Sequence, residues 1–151
     1  MLYKKRLIDL KEKYNLKQYE IAKILKLAPS TYNNYELEYE IIPIKHLNTI
    51  CVYFSVSFDY IFGFTNTFNY KLSKKEISNK LVAKRLKEFR QKHKLSQISL
   101  ATFLNVSQST ISKIENGHNI IATPFLYQIC KRYNISADYL LGKIDRPKYL
   151  N

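Results

Sequence analysis

The run Ser107-Gln-Ser-Thr-Ile-Ser-Lys-Ile-Glu-Asn-Gly117 gathers side chains that hydrogen-bond without reacting. Ile111 and Ile114 are three apart and share one helical face, while Gln108, Ser109, Ser112 and Lys113 fall on the other. Amides, hydroxyls and a cation are poor tools for breaking bonds. They suit base edges and phosphates in a nucleic-acid groove, where Thr110 would add a methyl for thymine. Catalytic alternatives are thin: His46, His93 and His118 are scattered, and no Gly-rich phosphate loop, nucleophile elbow or paired-carboxylate pattern occurs. Cys51 and Cys130 sit among apolar neighbours and read as buried free thiols. The sequence therefore predicts no enzyme, no metal site and no cofactor.

Two elements must hold this face. Upstream, Leu95-Ser-Gln-Ile-Ser-Leu-Ala-Thr-Phe-Leu104 reads as a short amphipathic helix with Ser96 as its N-cap. Asn105-Val106-Ser107 then makes a turn, because Asn tolerates the left-handed conformation and Ser107 caps the next helix. Two short helices joined by a three-residue turn, with a polar outer face on the second, describe a helix-turn-helix. Ser96-Gln97, Leu100-Ala101, Val106-Ser107-Gln108, Ile111-Ser112 and Ile114-Glu115-Asn116-Gly117 resemble the helix-turn-helix family of Cro and phage immunity repressors, the xenobiotic-response-element (XRE) family. The resemblance implies a five-helix, lambda-repressor-like DNA-binding domain over about residues 81–145. It also implies that Gln97 clamps a phosphate and that Glu115 is structural rather than catalytic.

Composition agrees with a polyanionic partner. Among 151 residues, 25 are Lys or Arg and 12 are Asp or Glu, a formal net charge of +13. An A/T-rich coding sequence would inflate Lys, Asn, Ile and Tyr, but does not explain why Glu fails to rise with Lys. No apolar run approaches the ~20 residues that span a bilayer, and the N-terminus lacks a signal-peptide core. The expected setting is cytoplasmic, with no membrane contact and no small-molecule ligand evident.

The chain also repeats itself. At a constant offset of 79 positions Arg6 meets Arg85, Gln18 meets Gln97, Ala22 meets Ala101, Ser30-Thr31 meet Ser109-Thr110, and Glu36 meets Glu115. Cys51 with Cys130, Asp59-Tyr60 with Asp138-Tyr139, and Gly63 with Gly142 keep the register. The expected architecture is all-α: two tandem five-helix helix-turn-helix domains at 1–66 and 81–145, a connector at 67–80 and a basic tail at 146–151. Helices are predicted at 3–14, 17–25, 29–36, 43–54 and 57–62, and at 82–93, 96–104, 108–115, 123–133 and 136–141. Ser73-Lys-Lys-Glu76 resembles a capping box, so the first helix of the second half is expected to start near Lys74, run about twenty residues and act as a stiff spacer.

The halves differ in their outer faces. Pro29 stands where the second half has Gln108, Lys26 replaces Asn105 in the turn, and Leu37-Glu38 replace Asn116-Gly117. Glu36, Glu38 and Glu40 would repel phosphate, whereas Ser30, Thr31, Asn33 and Asn34 still offer hydrogen bonds. The expected DNA contacts are Gln97, Gln108, Ser109, Thr110, Ser112, Lys113, Asn116, His118 and Asn119 in the second half, and Gln18, Ser30, Thr31, Asn33 and Asn34 in the first. The expected function is a sequence-specific double-stranded DNA-binding regulator, a repressor, whose two domains read half-sites about 34 Å apart. One alternative keeps DNA binding in the second half and gives the first a homodimerisation or protein-partner role, with Tyr32, Tyr35 and Tyr39 at the interface. Tyr32 and Tyr35 align with Ile111 and Ile114, however, and read as core. A further alternative is a nonspecific DNA-coating protein driven by charge.

Overall fold

A computed structural model describes residues 2–68 and 76–148, which form two compact units. Ten helices and no strand occur among the described residues. The first unit comprises α1 (Leu2–Lys13), α2 (Gln18–Ile24), α3 (Pro29–Glu36), α4 (Ile44–Phe54) and α5 (Phe58–Ile61). The second comprises α6 (Asn79–Lys92), α7 (Gln97–Leu104), α8 (Gln108–Glu115), α9 (Thr123–Tyr133) and α10 (Ala137–Leu140). Among the described residues no helix is long and apolar enough to cross a membrane.

The repeat is visible in the backbone. Left-handed residues recur at the same offset: Asn15 and Lys94, Lys26 and Asn105, Glu38 and Gly117, Ser55 and Asn134, Gly63 and Gly142. Each ends a helix by turning the chain aside, so corresponding helices stop at corresponding places. At Gly142 a second constraint applies, since an added Cβ would lie 2.5 Å from Leu81 Cδ2.

In the second unit Val82, Leu86 and Phe89 of α6, Leu100 and Leu104 of α7, Ile111 and Ile114 of α8, and Leu126 and Ile129 of α9 are all buried and make up the core. The first unit repeats this with larger rings: Tyr32 and Tyr35 are buried where the second unit has isoleucine. Both tyrosines are therefore core, as their alignment predicted. Cys51 and Cys130 are buried free thiols, also as predicted. Phe64 and Phe68 fold back on the first unit, Phe64 against Phe62 at 5.8 Å and Phe68 edge-on to Tyr60 at 5.2 Å.

Arg6 and Arg85 staple each unit's end to its start. Arg6 lies over the Tyr60 ring and donates to Asn66 Oδ1 at 2.9 Å. Arg85 lies over the Tyr139 ring and donates to the Ile144 carbonyl at 2.6 Å and Asp145 Oδ1 at 2.9 Å.

One expectation fails at the start of the second unit. The long helix from Lys74 is replaced by a helix of 14 residues beginning at Asn79, and Glu76 to Ser78 are not helical. Ser78 takes the N-cap, its Oγ accepting from Leu81 N at 3.3 Å, so the capping signal at Ser73 competes with a nearer one. Residues 69–75, including the first three of the expected capping box and Tyr70, lie outside the described residues, as do 149–151 of the expected tail. The stiff-spacer expectation thereby loses its basis.

Candidate nucleic-acid interface

The helix-turn-helix of the second unit is capped throughout. Ser96 Oγ accepts from Ser99 N at 3.0 Å, Asn105 ends α7 with φ 57°, and Ser107 Oγ accepts from Thr110 N at 3.2 Å. Ile111 and Ile114 anchor the inner side of α8, which leaves Gln108, Ser109 and Lys113 exposed on the outer side and Thr110 and Ser112 half-buried. Asn116, His118 and Asn119 are exposed just beyond the helix, where the amides of His118 and Asn119 return to the Lys113 carbonyl at 3.0 and 3.3 Å. The predicted residues of this half thus occupy one helix, its following loop and the first residue of α7.

A buried ion pair fixes that face. Arg90 on α6 donates from Nε to Glu115 Oε2 at 2.7 Å and from Nη2 to Oε1 at 2.9 Å, a two-pronged bond. Glu115's side chain is only 2 % exposed and Arg90's 12 %. The carboxylate raises the guanidinium pKa further above its ordinary value. Because Glu115 accepts only, Gln97 must turn its Nε2 toward it, at 3.3 Å. The Gln97 Oε1 then faces outward and accepts from Gln108 Nε2 at 3.4 Å. A charge inside the unit therefore sets which way two surface amides point.

The first unit keeps the charge and changes its route. Lys11, aligned with Arg90, lies 3.0 Å from Glu36. Gln18 Nε2 donates to Glu36 Oε2 at 2.7 Å, and its second proton goes to Asn33 Oδ1 at 2.9 Å, since Pro29 supplies no side-chain partner. Gln18 is left with no amide proton to offer a phosphate in this arrangement. Burial, and after it the charge of the Glu36 carboxylate, pushes the Tyr32 phenol far above its ordinary value. Ser30 is exposed, while Thr31, Asn33 and Asn34 are half-buried. No side chain caps α3: Ala28 precedes it and Pro29 begins it. Lys26 and Glu38 keep the left-handed turns despite their side chains, with φ 56° and 61°.

The resemblance implied a structural Glu115, but the sequence reading named no partner for it or for the aligned Glu36. A signal existed, for Lys11 and Arg90 place a cation at the same offset in both halves. Charge is also unequally divided. Residues 2–68 carry nine Lys or Arg and seven Asp or Glu, a formal +2, whereas residues 76–148 carry thirteen and five, a formal +8.

A family profile described as helix-turn-helix matches residues 7–61 and again residues 86–140. The chain belongs to the XRE-type helix-turn-helix family, in two tandem copies. Among curated proteins it is 40% identical over 67 residues to the HTH-type transcriptional regulator ImmR of Bacillus subtilis, covering 44% of this chain and 53% of that protein. It is 29% identical over 63 residues to the antitoxin PezA of Streptococcus pneumoniae, covering 42% of this chain and 40% of that protein. It is 34% identical over 61 residues to the HTH-type transcriptional regulator PrpR of Mycobacterium tuberculosis, covering 40% of this chain and 13% of that protein. The matched stretches thus span about half or less of these relatives. No solved structure matches the chain.

Proposed function

We propose that this protein is a sequence-specific double-stranded DNA-binding transcriptional regulator, a repressor, whose second unit reads the major groove with α8. The observation that carries this reading is the Glu115–Gln97–Gln108 chain, which fixes two outward amides at the front of a helix within a unit of formal charge +8. In this reading Gln97 meets a phosphate, Gln108, Ser109, Ser112 and Lys113 meet base edges, Thr110 a thymine methyl, and Asn116, His118 and Asn119 the strand edge. Bases are specified by the helix and held in register by the loop. The names of ImmR and PrpR as transcriptional regulators support it.

The test is selection of bound duplexes from random DNA followed by footprinting. Replacing Gln108 and Ser109 with Ala is expected to cost about 1–3 kcal/mol of discrimination while leaving weak, salt-sensitive binding. Unchanged discrimination would sink the assignment.

For the first unit a different role is favoured by specific observations. Gln18's amide protons both go to Glu36 and Asn33, Pro29 stands at the reading position, and Glu38 and Glu40 lie in the following loop. This unit acts as a protein-docking module beside a DNA-reading one. Replacing Ser30, Asn33 and Asn34 should then leave the footprint unaltered; a shortened footprint would return the first unit to DNA reading.

A further inference from the structure

The loop that follows α8 does not stand alone at the edge of the second unit. α6 packs against α8, and its first turn comes up beside Gly117: a Cβ added there would lie 3.9 Å from the Asn79 carbonyl oxygen and 3.9 Å from Lys80 Cα. Gly117 sits between Asn116 and His118, the exposed residues given above to the strand edge. The fold thus brings Lys80 to that loop from a distant part of the sequence. Ser78 fixes the turn by accepting from Leu81 N at 3.3 Å, and Leu81 lies against Gly142. Lys80 is exposed and, among the described residues, pairs with no carboxylate, whereas Lys84 on the next turn lies 4.0 Å from Glu88.

The first unit has the same corner and closes it. Glu38 stands there in the place of Gly117, and its carboxyl is held below the usual range by a hydrogen bond from the chain's N-terminal amine, with the charge of Lys4 adding to it. That amine belongs to Met1, the residue that aligns with Lys80. In the first unit a cation is answered by an acid of its own unit. In the second the acid is a glycine, and the cation is left for a partner.

We propose that Lys80 is a phosphate contact of the second unit, on the strand that Asn116, His118 and Asn119 follow, and that it adds affinity without choosing sequence. The inference rests on the reading of DNA by α8 given above. A lysine ammonium is a compact point charge on a flexible stem, which suits a phosphate oxygen rather than the two-pronged pattern of a base edge. α6 then serves the interface twice: Arg90 holds Glu115 of α8 from inside the unit, and Lys80 holds the strand from outside.

The experiment titrates the full chain with a duplex bearing the selected site and with a random duplex, at several salt concentrations, beside Lys80→Gln, Lys80→Arg and Lys87→Gln. Lys87, exposed on the same helix about 10 Å farther along, measures the effect of net charge alone. Lys80→Gln is expected to lower the slope of log affinity against log salt by about 0.9 on both duplexes. Relative to about 1 M salt, that slope amounts to about an eightfold loss at about 0.1 M. Lys80→Arg should restore the affinity, and Lys87→Gln should change the slope by less than half as much. All variants should select the same sequence. A slope untouched by Lys80→Gln, an equal change with Lys87→Gln, a loss that Lys80→Arg does not restore, or a loss confined to the selected duplex would each overturn the proposal. Selection without a preferred sequence, with the slope still lowered by Lys80→Gln, would support the phosphate contact and refute specific reading by α8.

Discussion

Glu115→Ala is the sharpest perturbation of the buried polar chain. The side chain accepts three hydrogen bonds, two from Arg90 at 2.7 and 2.9 Å and one from Gln97 at 3.3 Å. Its loss leaves two guanidinium N–H groups without a partner on a side chain only 12 % exposed. Removing one member of a buried pair costs roughly 3–5 kcal/mol, because the surviving charge stays desolvated. Arg90 keeps its bond from Nη1 to the Leu95 carbonyl at 2.9 Å and some access to water, which places the expected cost near about 3 kcal/mol. A domain of this size is stable by only about 3–10 kcal/mol, so the second unit should be severely weakened. The chain has no Trp and two helical units, so the assay must resolve them. Hydrogen exchange followed by mass spectrometry in increasing urea does so peptide by peptide. Peptides of α6, α7 and α8 should lose protection while those of α1 to α5 keep theirs. The double replacement Arg90→Met with Glu115→Leu should recover most of the loss, since no charge is then stranded. A single variant within about 1 kcal/mol of the unaltered chain, or a double variant no better than the single, would refute the reasoning.

Lys26→Asn should stabilise the first unit by several tenths of a kcal/mol to about 1 kcal/mol, because Asn suits the left-handed backbone that Lys26 adopts; urea midpoints shifted without a change in slope would show it. Tyr32 makes the first unit alkali-sensitive: its pKa is raised on folding, so the unfolded chain loses the proton first and stability falls as pH rises past about 10. Tyr32→Phe should flatten that loss in exchange measurements of the first unit's peptides, and an unchanged alkaline decline would refute the assignment to Tyr32.

The parts legible in the sequence are those coded by neighbours. Ser96, Ser107 and Asn105 announce a cap, a cap and a turn through their own residue types, and the structure uses them so. Pro29 and Gln108 both begin their helices where the pattern placed them. Long-range choices were not legible. Lys11 and Glu36, like Arg90 and Glu115, are 25 residues apart, and no local pattern links such positions. Glu38, Ser55 and Lys94 adopt positive φ although their residue types disfavour it, because the helices on either side dictate the turn. Ser73 and Ser78 offer competing starts for one helix in the sequence, and Ser78 is the one that caps it.

The duplication separates what the frame requires from what the face does. Both units retain the acid at the end of the third helix, a cation on the first helix and a glutamine opening the second, so these three positions serve the packing of a helix-turn-helix. The face changes through one substitution in particular. With Gln108 beside it, Gln97 passes the orientation set by Glu115 outward to a second exposed amide. With Pro29 there instead, Gln18 turns the same orientation sideways into Asn33, and its donors are used within the unit. The buried charge is common to both units, but only in the second does its influence reach the surface. A Pro29→Gln change in the first unit would supply the outward partner, yet Glu38 and Glu40 would still repel phosphate, so that change alone should not create a second reading head.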